Sequence, residues 1–64
     1  MPITARNTTT PDSADLRITV SGAASEAAAR AAAVAFLQTS RYTKDATIYE
    51  VTRDRDNYNF WCEH

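Results

Sequence analysis

Cys62 and His64 are the residues of this 64-residue chain whose types and spacing best fit a chemical reaction. They stand two positions apart, so both side chains can lie on one face of a strand. A thiolate beside an imidazole is a nucleophile in principle. However, His64 is the last residue of the sequence, and no third residue is evident that would orient it. We therefore expect Cys62 to be a buried structural residue, and the pair falls short of the three or four ligands of a metal site.

The other candidates for catalysis are eight carboxylates, and none of them pairs with another in an obvious cleft. They are scattered along the chain, at Asp12, Asp15, Glu26, Asp45, Glu50, Asp54, Asp56 and Glu63. A chain this short leaves little room for a substrate pocket. The single glycine excludes a glycine-rich phosphate loop. We therefore expect a protein that is not an enzyme and that holds neither a cofactor nor a metal.

The charge composition argues against one large class of function. Seven basic and eight acidic residues give a net charge of −1. This balance excludes a polybasic protein that binds nucleic acid through counterion release. Six of the seven basic residues are arginine, which suits bidentate recognition and is enriched in protein interfaces.

The length allows one domain with a small core, and the single cysteine excludes an internal disulfide. Association with a partner or with a second copy is the remaining way to add stability. No run of about 20 apolar residues is present that could span a membrane. Residues 1–11 lack the apolar core of a signal peptide. We expect the protein in the cytoplasm of a bacterial host cell.

The hydrophobic pattern predicts an α+β fold with the order β-α-β-β, in which one helix packs on a small antiparallel sheet. Residues 15–64 form this domain. Residues 1–14 are polar and rich in threonine, which fits either a mobile arm or a short edge strand. The predicted elements are a strand over 15–21, a helix over 23–38, a strand over 46–53 and a strand over 58–63. A hairpin turn is predicted over 54–57, where Asn57 tolerates a left-handed conformation.

A helical wheel of about 100° per residue divides the predicted helix into two sides. Glu26 and Arg30 mark the outer side. The side that we expect against the sheet carries small residues, with Phe36 at its margin: Ala24, Ala28, Ala31, Ala32 and Ala35. The outer side carries an apolar row of Ala29, Ala33 and Leu37. The row is either exposed, with alanine present because it favours helix formation, or it is a surface for another helix or a partner.

Strict alternation along the strands predicts which side chains face the helix. The predicted core consists of Leu16, Ile18, Val20, Tyr49, Val51, Tyr58, Phe60 and Cys62. The face turned away from the helix, which we call the open face, then carries Arg17, Thr19, Ile48, Glu50, Thr52, Asn59 and Trp61.

The open face is the better candidate for function. Arg17, Ile48 and Trp61 would lie there together, and tryptophan and arginine are frequent hot-spot residues in protein interfaces. The same face could instead pack under the N-terminal arm, or stack bases of a single-stranded nucleic acid. Arg53 and Arg55 at the hairpin tip are further contact candidates, although alternating charges in a turn are usually only solvated.

From Leu16 onward the chain reads LRITVSGAASEAAARAAAVAF and then TIYEVTRDRDNYNFWCE. This layout of strand, alanine-rich helix and strand hairpin resembles very small phage-encoded proteins, among them some anti-CRISPR proteins that inhibit type I surveillance complexes. The resemblance implies a non-catalytic inhibitor that docks on a nucleoprotein complex and blocks target DNA or nuclease recruitment. It carries over no functional residue. Dodecins, which are small flavin-binding oligomers, share the element order but match in no residue beyond a tryptophan.

Three hypotheses follow from the sequence. The first is a non-enzymatic binding module, a phage inhibitor of a bacterial defence complex, which contacts a protein or nucleoprotein partner through the open face, the outer helix row or the hairpin tip. The second is a structural homo-oligomer, such as a homodimer, with or without a small ligand between copies. The third is a single-stranded nucleic-acid binder.

Overall fold

The computed structural model describes residues 2–12 and 15–63. Within them the chain forms one helix and four strands that join in a single antiparallel sheet of order β1-β2-β4-β3. The elements are β1 Thr4–Asn7, β2 Leu16–Ser21, α1 Glu26–Leu37, β3 Thr47–Asp54 and β4 Asn57–Glu63. The predicted α+β fold is confirmed, and the N-terminal segment forms the edge strand rather than a mobile arm. Met1, Ser13, Ala14 and His64 lie outside the described residues.

Threonine side chains extend the pairing of β1 with β2 beyond the end of β1. The backbone N–H of Thr8 donates to the carbonyl of Arg17 at 2.9 Å. The hydroxyl of Thr9 accepts a hydrogen bond from the N–H of Arg17 at 2.8 Å. The chain turns here because Asn7 Oδ1 accepts from the N–H of Thr9 at 2.9 Å, a common local bond of asparagine. Beyond β1, the polar, threonine-rich segment is therefore tied to β2 by hydrogen bonds.

The helix begins and ends with side-chain caps. Ser25 is the N-cap, and its hydroxyl accepts a hydrogen bond from the N–H of Ala28 at 3.2 Å, as the sequence predicts. At the C-terminal end, Thr39 Oγ1 donates to the carbonyl of Phe36 at 2.6 Å and Thr43 Oγ1 donates to that of Leu37 at 2.7 Å. These bonds satisfy carbonyls that the last turn leaves without helical partners.

The predicted orientation of the helix is wrong in part: Ala32 and Phe36 pack against the core as expected, but the buried row is the one that we expected outside. Ala29 and Ala33 are fully buried and Leu37 is 3% exposed, whereas Ala31 and Ala35 are exposed. The row that we expected on the outer side therefore packs against the sheet. The reason is the size of Leu37, since burying one leucine stabilises a fold by about 1.5–3 kcal/mol and an alanine offers a single methyl group. Ala29 and Ala33 are buried together with Leu37 because four-residue spacing places all three on one face of the helix.

A β-bulge in β3 changes the predicted strand faces. Ile48 pairs with Cys62 and Glu50 pairs with Trp61, so Tyr49 is an extra residue without a partner in β4. Val51 pairs with Phe60 on the helix side, and Ile48 also packs against the core. The prediction that Tyr49 is a core residue and that Ile48 lies on the open face is therefore wrong. The two aliphatic residues are three positions apart, and both reach the core because the bulge inserts one residue between them.

The core lies between α1 and the strands that it covers. Its buried members are Leu16, Ile18, Val20, Ala29, Ala33, Leu37, Tyr58, Phe60 and Cys62. Cys62 is fully buried, as predicted, and burial raises the pKa of its thiol above the ordinary value. Gly22 ends β2 with φ +84°, and a Cβ at this position would stand 2.7 Å from the backbone oxygen of Pro2. The single glycine thus lets the N-terminal segment lie closely against the end of β2.

The corrected helix face predicts opposite effects for the same substitution at two neighbouring alanines. Ala33→Glu should lower the free energy of unfolding by about 3 kcal/mol or more, because it places a carboxylate in the core. Ala31→Glu on the exposed side should change it by no more than about 0.5 kcal/mol. Denaturant unfolding followed by circular dichroism measures both, and a larger loss in Ala31→Glu would contradict this orientation.

Candidate docking surface

The open face presents side chains of neighbouring strands in rows that the strand register sets. One row runs from Arg17 through Trp61 to Glu50. The next row runs from Thr19 through Asn59 to Thr52. The helix lies on the other side of the sheet, so no described helix covers this face. We call Arg17, Tyr49, Glu50, Thr52, Asn59 and Trp61 the docking surface.

Hydrogen bonds between side chains hold much of the open face in place. Thr19 Oγ1 donates to Asn59 Oδ1 at 2.8 Å, and the hydroxyl of Thr8 lies 2.7 Å from that of Thr19. Because the proton of Thr19 goes to Asn59, the Thr8 hydroxyl donates in this pair. Ser21 Oγ donates to Asn57 Oδ1 at 2.7 Å in the next row. Thr19 is only 7% exposed, so the bonds also satisfy a buried polar group.

Arg17 holds the N-terminal segment against this face. Its Nε donates to the hydroxyl of Thr8 at 3.0 Å, and one terminal nitrogen donates to the carbonyl of Thr8 at 2.9 Å. These bonds use two of the five N–H groups of a guanidinium, and no further acceptor for the others lies in the described part of the chain. Local packing under the N-terminal segment thus accounts for part of the role of Arg17.

Trp61 lies at the centre of its row and is half-buried between Arg17 and Glu50. Its indole N–H donates a hydrogen bond to no side chain or backbone group in residues 2–12 and 15–63. A partially exposed indole with an available donor is the usual form of a tryptophan at a protein interface. Trp61 is therefore the strongest candidate for a contact residue on the open face.

Tyr49 belongs to this surface although the sequence reasoning assigned it to the core. It is 49% exposed, and its hydroxyl donates a hydrogen bond to Asp15 Oδ2, so its ring extends across β4 towards the start of β2. Asp15 precedes the core residue Leu16, and alternation turns it to the side of Arg17. The hydrogen bond to Asp15 chiefly raises the pKa of Tyr49, to about 12, with smaller contributions from desolvation and from the charges of Asp15, Glu50 and Glu63.

The remaining predicted contact residues lie elsewhere. Ile48 faces the core. Arg53 and Arg55 are exposed at the hairpin tip, where the guanidinium of Arg53 lies 5.6 Å from the centre of the Tyr58 ring. Arg53 Nε also donates to the carbonyl of Arg55 at 3.0 Å. The left-handed residue of the turn is Arg55, with φ 58°, whereas Asn57 pairs with Ser21 and Asp54 in the sheet.

Several features bear on catalysis and on the membrane. Residues 2–12 and 15–63 enclose no cavity and no group of three or more side chains that could hold a metal ion. The thiol of Cys62 is buried, and its proposed partner His64 lies outside the described residues. No described helix combines the length and the apolar character that crossing a membrane requires.

Comparisons with protein-family models, with curated proteins and with solved structures find no match for this chain.

The Tyr49–Asp15 contact predicts an unusual tyrosine titration. The ultraviolet difference titration between wild type and Tyr49→Phe should show a phenolate midpoint about 12, above the ordinary value of about 10. Since the folded state favours the neutral phenol, this contact stabilises the fold below pH about 10 and is lost as the pH rises towards 12. A difference midpoint near 10 would show that the hydrogen bond does not form.

The left-handed conformation of Arg55 predicts a stabilising substitution. Arg55→Gly should raise the free energy of unfolding by about 0.5–1 kcal/mol. Removing the side chain relieves a conformational strain of about 1–2 kcal/mol, and the greater entropy of glycine in the unfolded state offsets part of this stabilisation. Asp56→Gly is the matched control and should not stabilise, because Asp56 does not have a positive φ. Thermal unfolding compares the two, and an equal effect at both positions would contradict the turn geometry.

Proposed function

We propose that this protein is a small non-enzymatic binding module that docks on a protein or nucleoprotein complex through the docking surface and acts by steric block. The observation that carries the proposal is the row of Arg17, Trp61 and Glu50 on a sheet face that α1 leaves uncovered. Within this class, the resemblance of the layout to small phage proteins supports an inhibitor of a bacterial CRISPR surveillance complex.

The composition of the docking surface suits a protein partner. Tryptophan, tyrosine and arginine dominate hot spots, and tyrosine with small polar residues is typical of adaptable binding surfaces. The bonds from Thr19 to Asn59 and from Arg17 to Thr8 already hold the side chains of Asn59 and Arg17 in position. A partner therefore meets a surface that loses little side-chain entropy on binding.

The charges on the open face favour a protein over a bare nucleic-acid strand. Arg6 and Arg17 lie on this side by register, and so do Glu50, Asp54 and Glu63. A binder of single-stranded nucleic acid needs a basic groove around its stacking aromatics. These three carboxylates and that of Asp15, on the same face as Trp61 and Tyr49, would instead repel phosphates.

The proposal predicts that Trp61 carries much of the binding energy. The purified protein is mixed with individual type I surveillance complexes, and the binding of target DNA to each complex is measured. The wild type should lower DNA binding by a complex that it recognises. Trp61→Ala should weaken this inhibition by roughly 30-fold or more, the usual loss at a hot spot. Tyr42→Ala is the matched control, since Tyr42 is a 75% exposed aromatic residue in the loop after α1.

Two outcomes would contradict separate parts of the proposal. Equal potency of Trp61→Ala and wild type would remove the docking surface from the mechanism. Absence of binding to every type I complex would remove the CRISPR assignment. In that case, pull-down from bacterial lysate with wild type, Trp61→Ala and Tyr42→Ala tests the binding module by itself, and recovery of the same partner with all three would contradict it.

A further inference from the structure

Strand β3 has an unpaired edge. It is the last strand in the sheet order β1-β2-β4-β3 and is eight residues long. Its backbone groups bond to β4 on one side, and on the other side no described residue makes a hydrogen bond to them. A long strand with an open row of N–H and C=O groups is a template for pairing with another strand.

The helix does not cover this strand. Within the described residues α1 contacts β1, β2 and β4 but not β3. As a result Ile48 and Val51 are only half-buried, and every other residue of β3 is exposed. A strand added at this edge would bury more of these two aliphatic side chains as well as the backbone groups.

We infer that the edge is filled by a second copy of this chain, which pairs antiparallel through β3 with the two-fold axis at Val51. The two four-stranded sheets would then continue as one sheet. The inference is independent of the proposed function.

Charge along β3 allows a second copy as the occupant and selects the register in which it pairs. In a symmetric antiparallel pair, the two-fold axis must pass through one residue position, because only then do side chains of the same sheet face oppose each other. The bulge at Tyr49 restricts regular pairing to the residues after it. Centring on Glu50, Arg53 or Asp54 opposes each residue to its own equivalent of the same charge, and centring on Thr52 opposes Glu50 to Asp54 of the second copy. Centring on Val51 opposes Val51 to its own equivalent and Glu50 to Thr52 of the second copy. This register alone avoids opposed like charges, which destabilise cross-strand pairs.

The other edge of the sheet is less suited to such pairing. Strand β1 has four residues, and the chain beyond it is held by the side chains of Thr8 and Thr9. Because a two-fold axis at Val51 is perpendicular to the sheet, both docking surfaces would lie on the same side. A dimer could then engage two sites of a repetitive partner at once, which raises the overall affinity without new contacts.

Position 52 provides a register-specific test by sedimentation equilibrium at low ionic strength. The wild type should show an average mass that rises from monomer towards dimer with concentration. Thr52→Lys should tighten the dimer, because each lysine opposes Glu50 of the other copy, and Thr52→Glu should weaken it. With two such pairs per dimer, we expect a shift of roughly 2- to 30-fold in the dissociation constant for each.

Matched variants separate this register from the effect of net charge. Ala31→Lys and Ala31→Glu change the net charge equally on the exposed side of α1 and should leave dimerisation unchanged. The double variant Glu50→Lys with Thr52→Glu restores opposite charges and should recover the dimer that Thr52→Glu loses. Thermal unfolding at low concentration checks that each monomer is folded.

The inference would be overturned by a monomer at all concentrations for both wild type and Thr52→Lys. It would also be overturned by equal shifts for lysine and glutamate at position 52, or by the same shifts at position 31. A dimer whose dissociation constant does not change with the charges at positions 50 and 52 would place the contact elsewhere on the chain.

Discussion

One helix of twelve residues has to cover a sheet of four strands, and the rest of this structure follows from that constraint. Ala29 and Ala33 allow α1 to lie close to the sheet, so most of the core volume comes from the strands, with Phe60 and Ile18 the largest fully buried side chains. Arg30 extends the cover by placing its guanidinium 5.8 Å from the centre of the Phe60 ring. Strand β3 and the whole open face remain without a helix above them.

The open face is stabilised by hydrogen bonds between neighbouring strands rather than by apolar burial. Thr8, Thr19 and Asn59 form a continuous set of hydrogen bonds across three segments that are neighbours in the sheet. Arg17 strengthens the link to the N-terminal segment through its bond to Thr8. These bonds hold Arg17, Thr19 and Asn59 in place on the face that also carries Trp61.

The sequence was sufficient to predict the order of the elements, because β2 alternates strictly and α1 has a serine cap and no interrupting glycine or proline. Its pattern also predicted buried Cys62. The helix face could not be obtained by separating charged from apolar positions, because alanine occupies both sides and only Leu37 distinguishes them. The exposure of Tyr49 depends on a β-bulge. The one indication of this bulge in the sequence is that the two aliphatic residues of the strand, Ile48 and Val51, stand three positions apart. The role of Thr8 and Thr9 depends on tertiary hydrogen bonds that no local pattern specifies.

The central claim is that the sheet face opposite α1 makes the contact with the partner. Nuclear magnetic resonance cross-saturation tests it most directly, with a protonated surveillance complex irradiated in the presence of the deuterated, isotope-labelled protein. The account predicts strong attenuation of the Trp61 indole N–H and the Asn59 side-chain amide, while the amides of Ala31 and Ala35 keep their intensity. Attenuation of the two alanine amides with intact Trp61 and Asn59 signals would contradict it.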